Sequence, residues 1–364
     1  VKRKILIIVG TRPNFIKVTQ FHSVLKQYSN IECRIVHTGQ HFDDKMSSIF
    51  FEQFKLVPDI FLNIAHGTPI AQIAEIMQGL EKVIIDYKPD MVIVPGDVNS
   101  TLAGAITANK MNIPLAHLES GLRSYDNEMP EEYNRVLTDS LANYFFVTEQ
   151  SGYNNLSNEG KSKENIFFVG NTMIDTMVAY SKQIDKAEIL TKLKIAAKEF
   201  VLMTIHRPSN VDSEDGLKKL CELIVHITKK YKLVFPVHPR TLKNMEKHGL
   251  YDKIKGNSNL IFSEPLDYFS FQKLTKSCAF IVTDSGGIQE ESTFLQVPCL
   301  TLRPNTERPV TIDVGTNELI PFDISLIQNR IEAIESGTYK KGAIPPMWDG
   351  KATERIVKII SEVI

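Results

Sequence analysis

Short apolar runs alternate with amphipathic stretches along nearly the whole chain. The runs are Lys4–Val9, Cys33–His37, Met91–Pro95, Leu115–His117, Tyr144–Val147 and Ile166–Val169, then Phe200–Ile205, Leu233–Val237, Leu260–Ser263, Phe280–Thr283 and Cys299–Leu302. A continuous apolar run of strand length predicts a strand covered on both faces. Between the runs, Pro13–Lys26, Pro69–Tyr87 and Gly216–Lys230 space their apolar residues as helices do. The alternation predicts βαβ units, hence parallel sheets with helices on both faces. Two sets of strands give an α/β fold of two doubly wound, Rossmann-like domains. The first spans 1–170 and the second 171–349, joined near Gly170-Asn171, ahead of a Lys-rich stretch at Lys182–Lys198. The last helix, 350–364, is expected to pack back on the first domain. Ligands bind at the carboxyl ends of strands in such sheets, so the site is expected in a cleft between the halves.

Composition narrows the function classes. A chain of 364 residues with 43% apolar residues can bury two cores. A net charge of −1 gives no overall pull toward nucleic acid or a membrane surface. No apolar stretch approaches the ~18–20 residues of a spanning helix. Cys33, Cys221, Cys278 and Cys299 form no CxxC pair, which fits buried thiols in a reducing compartment. Ile5–Val9 is too short and β-branched for a signal peptide. The expectation is a soluble cytoplasmic enzyme.

Candidate chemistry lies at the strand ends. Thr283-Asp284-Ser285-Gly286-Gly287-Ile288-Gln289-Glu290-Glu291 joins a strand to a helix. Backbone N–H groups at a helix start lack intrahelical partners and favour an anion. The turn therefore suits a nucleotide diphosphate, with Glu291 one turn on to meet a ribose; an ordinary Gly-rich loop is the alternative. Val9-Gly10-Thr11-Arg12-Pro13 starts a helix with Pro at a favoured position. Arg12 and Lys17 there are two cations at a positive helix end, which suggests a phosphate or carboxylate between them unless both are solvated. Asp97 follows a strand, where it serves as a catalytic carboxylate or, more simply, a helix N-cap. His117-Leu118-Glu119-Ser120-Gly121-Leu122-Arg123 and Met129-Pro130-Glu131-Glu132-Tyr133-Asn134-Arg135 are a short loop apart. Asp97, Glu119 and Glu131 can thus converge. Clustered carboxylates raise one another's pKa, which suits acid/base work. His206-Arg207-Pro208 repeats the first-half turn in the second half, and His238-Pro239-Arg240 is similar. Neither His has a partner at metal-ligand spacing, so no metal is expected. Arg308 faces the same edge as Ser285, to bind an anion or to pair with Glu307.

Taken together these motifs resemble the non-hydrolysing UDP-N-acetylglucosamine 2-epimerases. The resemblance runs in order through Gly10–Lys17, Gly39-Gln40-His41, Gly96-Asp97, His117–Arg123, Pro130–Arg135, Gly170–Asp175, His206-Arg207, Asp284–Glu291 and Glu307-Arg308-Pro309. It implies the GT-B-like two-domain fold and C2 epimerisation of UDP-N-acetylglucosamine by elimination of UDP through 2-acetamidoglucal and re-addition. It implies no cofactor, a UDP-sugar as partner, and a homodimer. By resemblance Asp97, Glu119, Glu131, His206 and Lys17 are catalytic. Arg12, Arg123, Arg135, Phe262, Leu266, Ser285, Gly286, Gly287, Glu291 and Arg308 bind substrate, with uracil received near Phe262–Leu266. Many bacterial members bind a second UDP-N-acetylglucosamine as activator. Gln40, His41 and His238 match part of such a pocket, whereas Phe42-Asp43-Asp44 and His66-Gly67-Thr68 depart from it. Asn14-Phe15 stands where Glu-Ala is common. Relatives with similar turns act on a UDP-diacetamido uronic-acid sugar, and hydrolysing relatives release ManNAc and UDP; both are the alternatives for the reaction.

Overall fold

The computed structural model describes residues 2–40, 50–64 and 67–364. It divides into two compact units, Val1–Ala179 with Pro346–Ile364, and Tyr180–Pro345. The first unit holds β1 (Arg3–Val9), β2 (Ile31–His37), β3 (Ile60–Phe61), β4 (Met91–Pro95), β5 (Leu115–Leu118), β6 (Tyr144–Val147) and β7 (Ile166–Phe168). They pair in the order β3-β2-β1-β4-β5-β6-β7, every neighbour parallel. The second unit holds β8 (Phe200–Thr204), β9 (Lys232–Pro236), β10 (Leu260–Ser263), β11 (Phe280–Thr283), β12 (Cys299–Thr301) and β13 (Asn317–Leu319). Their order is β10-β9-β8-β11-β12-β13, again all parallel. Both orders reverse beside the first strand, between β1 and β4 and between β8 and β11, which is the switch point where doubly wound sheets bind ligands.

The apolar runs are strands because both faces are covered. In the second unit Val201 and Met203 of β8 pack with Leu217, Leu220 and Leu223, while Phe200 and Leu202 pack with Leu274, Ile288 and Val297. Successive side chains thus enter opposite helical layers. In the first unit Leu6, Ile8, Val92 and Val94 meet Ile76, Leu80 and Ile84 of the helix Pro69–Tyr87. That helix matches its expected bounds. Thr68 caps it by accepting from the Ala71 N–H at 3.2 Å, Pro69 opens it, and Lys88 ends it in the left-handed conformation at φ 54°.

Two departures have local causes. The stretch expected as one helix from Pro13 forms two short ones, Arg12–Ile16 and Phe21–Leu25. The Thr176 hydroxyl donates to the Ile16 carbonyl at 2.6 Å, taking the place of a helical N–H. The edge strands β3 and β13 are too short to show as apolar runs. The final helix, Ala352–Val363, belongs to the first unit, where buried Asp175 accepts from the backbone N–H groups of Ala352 at 3.0 Å and Thr353 at 2.5 Å. Trp348, buried nearby, donates to the Thr148 carbonyl at 3.0 Å.

Candidate active site

In the first unit the polar groups gather at the ends of β1, β4 and β5. Lys17, the residue that ends the helix Arg12–Ile16, is buried and ion-paired to Glu119 just past β5, which is buried too. The pair packs onto Gly96. A Cβ there would come 2.9 Å from Lys17 Nζ and 3.4 Å from Glu119 Oε2, and the residue has φ +68°, so only glycine serves. Glu119 is itself left-handed at φ 65°, an uncommon state for a side-chain-bearing residue and one concentrated at functional sites. Asn14, the departure noted in the sequence, donates to the Pro95 carbonyl at 3.0 Å and accepts from the Thr11 hydroxyl at 2.9 Å, which pins the short helix to the end of β4. Phe15 packs on Phe50 and Phe51 with ring centroids 5.5 and 5.2 Å away. Arg12 opens the helix and is exposed.

Asp97 is not a helix cap. The helix Asn99–Lys110 starts after Val98, and the Asp97 carboxylate instead pairs with the buried Arg135 guanidinium. Arg135 also pairs with Glu132. Glu132, whose sequence position suggested only an ordinary first-turn acid, is buried. It accepts from the N–H groups of Ser124 and Tyr125, each at 3.0 Å, and from the Ser124 hydroxyl at 2.8 Å. It folds the loop between the two motifs. Glu131 beside it is half-buried. Arg123 is buried and paired to Asp139 at 2.7 Å and to Glu159 at 2.7 Å, and it donates to the Leu122 carbonyl. All three guanidinium nitrogens are thus engaged within the unit, where Arg123 holds the loop. Burial works against the Asp139 carboxylate, but His117 and Arg123 hold it below the usual carboxylate range.

In the second unit β8 and β11 lie side by side, with Thr204 opposite Thr283. This puts Asp284 beside His206. Asp284 Oδ1 lies 3.0 Å from His206 Nδ1, and the carboxylate also accepts from the N–H groups of His206 and Arg207 and from Asn210 Nδ2. Burial alone would raise the Asp284 pKa, but His206 and these donors hold it down. His206 keeps a partly exposed ring, 42% for its side chain, with its Nδ1 oriented by Asp284. His238 stacks 5.9 Å away; burial, then the His206 and Arg240 charges, push its pKa down.

Gly286 and Gly287 begin the helix Gly286–Phe294, which has no acid in its first turn. Arg308 lies over that start: a Cβ on Gly286 would sit 2.9 Å from Arg308 Nη1. Arg308 pairs with Glu307 and, at 2.9 Å, with Glu290; Arg303 pairs with Glu307 at 2.9 Å. A guanidinium beside a helix start is an anion-attracting arrangement. Ser285 is the N-cap residue, and its hydroxyl does not cap the helix. Glu291 is buried, not presented at the surface. Burial, despite Gln272, raises its pKa to about 8, and Glu290 adds to the rise. Phe262 is half-buried against Phe235 and Tyr251, and Leu266 packs on the cluster around Phe200.

Gln40 is buried and accepts from the Ser100 N–H at 3.0 Å and hydroxyl at 2.7 Å, a tie between the end of β2 and the helix Asn99–Lys110. His41, Phe42, Asp43, Asp44 and His66 lie outside the described residues. Among the described residues no three His, Cys, Asp or Glu side chains converge as a metal site requires, and no helix is long and apolar enough to cross a membrane. Sequence reasoning missed Asp284 and Asp139 as organisers. The signal for Asp284 was its register on the strand next to His206.

Two units, each an all-parallel sheet with its polar groups at the switch point, define the GT-B-like class of α/β proteins. Within that class the chain belongs to the UDP-N-acetylglucosamine 2-epimerase family, whose sequence profile matches residues 23–361. It is an isomerase of that family. The UDP-N-acetylglucosamine 2-epimerase of Methanocaldococcus jannaschii is 41% identical, over 98% of this chain and 99% of that protein. The solved structure of the M. jannaschii enzyme in complex with UDP-GlcNAc and UDP matches with a TM-score of 0.89, covering 99% of each chain. The Neisseria meningitidis enzyme bound to UDP-GlcNAc matches with a TM-score of 0.90 at 29% identity, covering 99% of this chain and 100% of that one. A UDP-2,3-diacetamido-2,3-dideoxy-D-glucuronate 2-epimerase of Pseudomonas aeruginosa is 37% identical over 87% of this chain and 88% of that protein.

Proposed function

We propose that the chain interconverts UDP-N-acetylglucosamine and UDP-N-acetylmannosamine by inverting C2. The observation that carries this reading is the carboxylate–cation cluster at the end of β4 and β5, Lys17–Glu119 packed on Gly96 beside Asp97–Arg135. A base takes the C2 proton. The C–H electrons form the C1=C2 double bond of 2-acetamidoglucal, and the C1–O bond breaks, its electrons leaving on the β-phosphate oxygen of UDP. Re-addition of UDP with protonation on the opposite face of C2 completes the inversion. Asp97, Glu119 and Glu131 are assigned the proton transfers, with Lys17 ion-paired to Glu119. Negative charge grows on the departing diphosphate, and Arg308, the Gly286-Gly287 helix start and His206 are assigned to stabilise it. Arg12 is assigned to bind the substrate. Glu291 is assigned to the ribose, where a carboxyl that keeps its proton can donate as well as accept.

The test is epimerisation in D2O. Both UDP-sugars should acquire deuterium at C2, and trapped intermediate should appear as UDP with 2-acetamidoglucal. Product that retains the original C2 hydrogen would overturn the path. Accumulation of free ManNAc with UDP would mark a hydrolysing enzyme instead. The P. aeruginosa relative supports a second reading, a UDP-diacetamido uronic-acid sugar; offering both sugars and comparing kcat/KM decides between them. The homodimer expectation finds support in an exposed apolar stripe, Tyr133, Val136 and Leu137, at helical spacing on Pro130–Leu141.

A further inference from the structure

We propose that His117 is a charged positioning residue, an imidazolium that clamps the Gly96–Asp97 turn and so governs turnover without touching substrate. The proposal rests on the reaction given above for its kinetic part, but not for its charge.

The charge follows from the hydrogen bonds. His117 Nε2 lies 2.7 Å from the Gly96 carbonyl oxygen. A carbonyl has no proton to give, so Nε2 must donate. Nδ1 lies 2.6 Å from Asp139 Oδ1. The other Asp139 oxygen accepts from the Gly121 N–H at 3.0 Å and sits 2.7 Å from Arg123 Nη1. A carboxyl flanked by a guanidinium and a peptide N–H is held as carboxylate. It too can only accept, so Nδ1 must donate as well. Both ring nitrogens therefore carry protons.

A lone buried cation would be costly, and this one is not alone. Glu159, Arg123, Asp139 and His117 alternate in sign along one chain of contacts that runs from the surface to the end of β4. The side chains of His117 and Asp139 are wholly buried. Gly96, whose carbonyl the ring holds, also packs against the Lys17–Glu119 pair. A histidine that merely filled the core would need one partner; this one spans two elements.

The clamp acts on the site through the backbone. The Gly96 N–H donates to the Leu118 carbonyl at 3.0 Å while His117 holds the Gly96 carbonyl. The peptide groups on both sides of Gly96 are thus fixed from β5, and the next residue is Asp97. Glu119 stands two residues beyond His117 on the same strand end. One ring therefore sets the spacing of two carboxylates assigned to proton transfer.

The experiment has a spectroscopic and a kinetic arm. Long-range ¹H–¹⁵N NMR of the wild-type chain labelled with ¹⁵N-histidine, at pH 7.5, should show one ring with both nitrogens protonated, absent from His117→Gln and altered in Asp139→Asn. A ring at this position with one unprotonated nitrogen overturns the proposal. In the kinetic arm, His117→Leu should lower kcat by about 10²-fold, the loss expected when a reacting group is displaced by an ångström, with KM and UDP affinity unchanged. His117→Gln, which can still donate to the Gly96 carbonyl, should recover part of kcat. Full wild-type kcat in His117→Leu, or equal losses of kcat and UDP affinity in both variants, also overturns it. An imidazolium in a wild type that turns over no UDP-sugar would support the clamp and overturn the reaction.

Discussion

Asp97 and Asp284 occupy matching places in the two units, and they differ in what they have left to offer. Each follows the strand that neighbours the first strand of its sheet across the switch point. Asp284 is wholly buried and collects the N–H groups of His206 and Arg207, Asn210 and the His206 ring. Asp97 retains 24% exposure of its side chain while paired to Arg135. An enclosed carboxylate organises a turn; one that keeps part of its surface stays within reach of solvent. One scaffold thus sets an enclosed acid in one unit and a more exposed acid at the matching place in the other.

The comparison breaks first at turnover. Asp97→Asn and Glu119→Gln should each lower kcat by about 10²–10⁴-fold with UDP affinity little changed, measured by coupled epimerase assay and calorimetry; near-normal rates in both would move the chemistry out of the first unit. Next in size, Arg308→Ala should leave the first unit intact and weaken UDP binding by roughly ten- to a hundredfold, the worth of one charged hydrogen bond. Unchanged affinity there would remove the diphosphate from the Gly286 turn. Glu132→Gln should cost about 1–3 kcal/mol of stability, because it weakens the acceptor of two backbone N–H groups and of Arg135. A melting temperature equal to wild type would show that this loop is held elsewhere.

The smallest effect sharpens the second unit. Glu291 holds its proton to about pH 8 in the fold, well above the ordinary carboxyl range it shows when unfolded. Between those values the unfolded chain binds fewer protons, so stability falls as pH rises and is greatest on the acid side of the window. Glu291→Gln should flatten that decline in denaturation curves taken from pH 5 to 8. An unaltered slope would mean that Glu291 is ionised in the fold.

Much of this architecture was legible in the chain because buried parallel strands need unbroken apolar runs. Met91–Pro95, Tyr144–Val147, Leu260–Ser263 and Phe280–Thr283 were read at their observed bounds. What escaped was set by long-range pairing. Nothing near Ile16 announces that a Thr176 hydroxyl will claim its carbonyl and split a helix. Glu132 looked like any first-turn acid, since its loop partners are fixed only once Ser124 and Tyr125 fold back upon it. The motif residues themselves were visible as strand-end turns, but their division of labour depends on burial. Arg123 and Arg135 stand in similar motifs, and both prove to be enclosed in ion pairs.

The closing helix has a consequence for how the molecule is made. Asp175 awaits the N–H groups of Ala352 and Thr353, and Thr148 awaits Trp348, yet the whole second unit lies between them in the chain. During synthesis domains fold as they emerge. Residues 180–345 form one uninterrupted piece, whereas the unit begun earlier is complete only once residues 346–364 have joined it. The part started first is finished last.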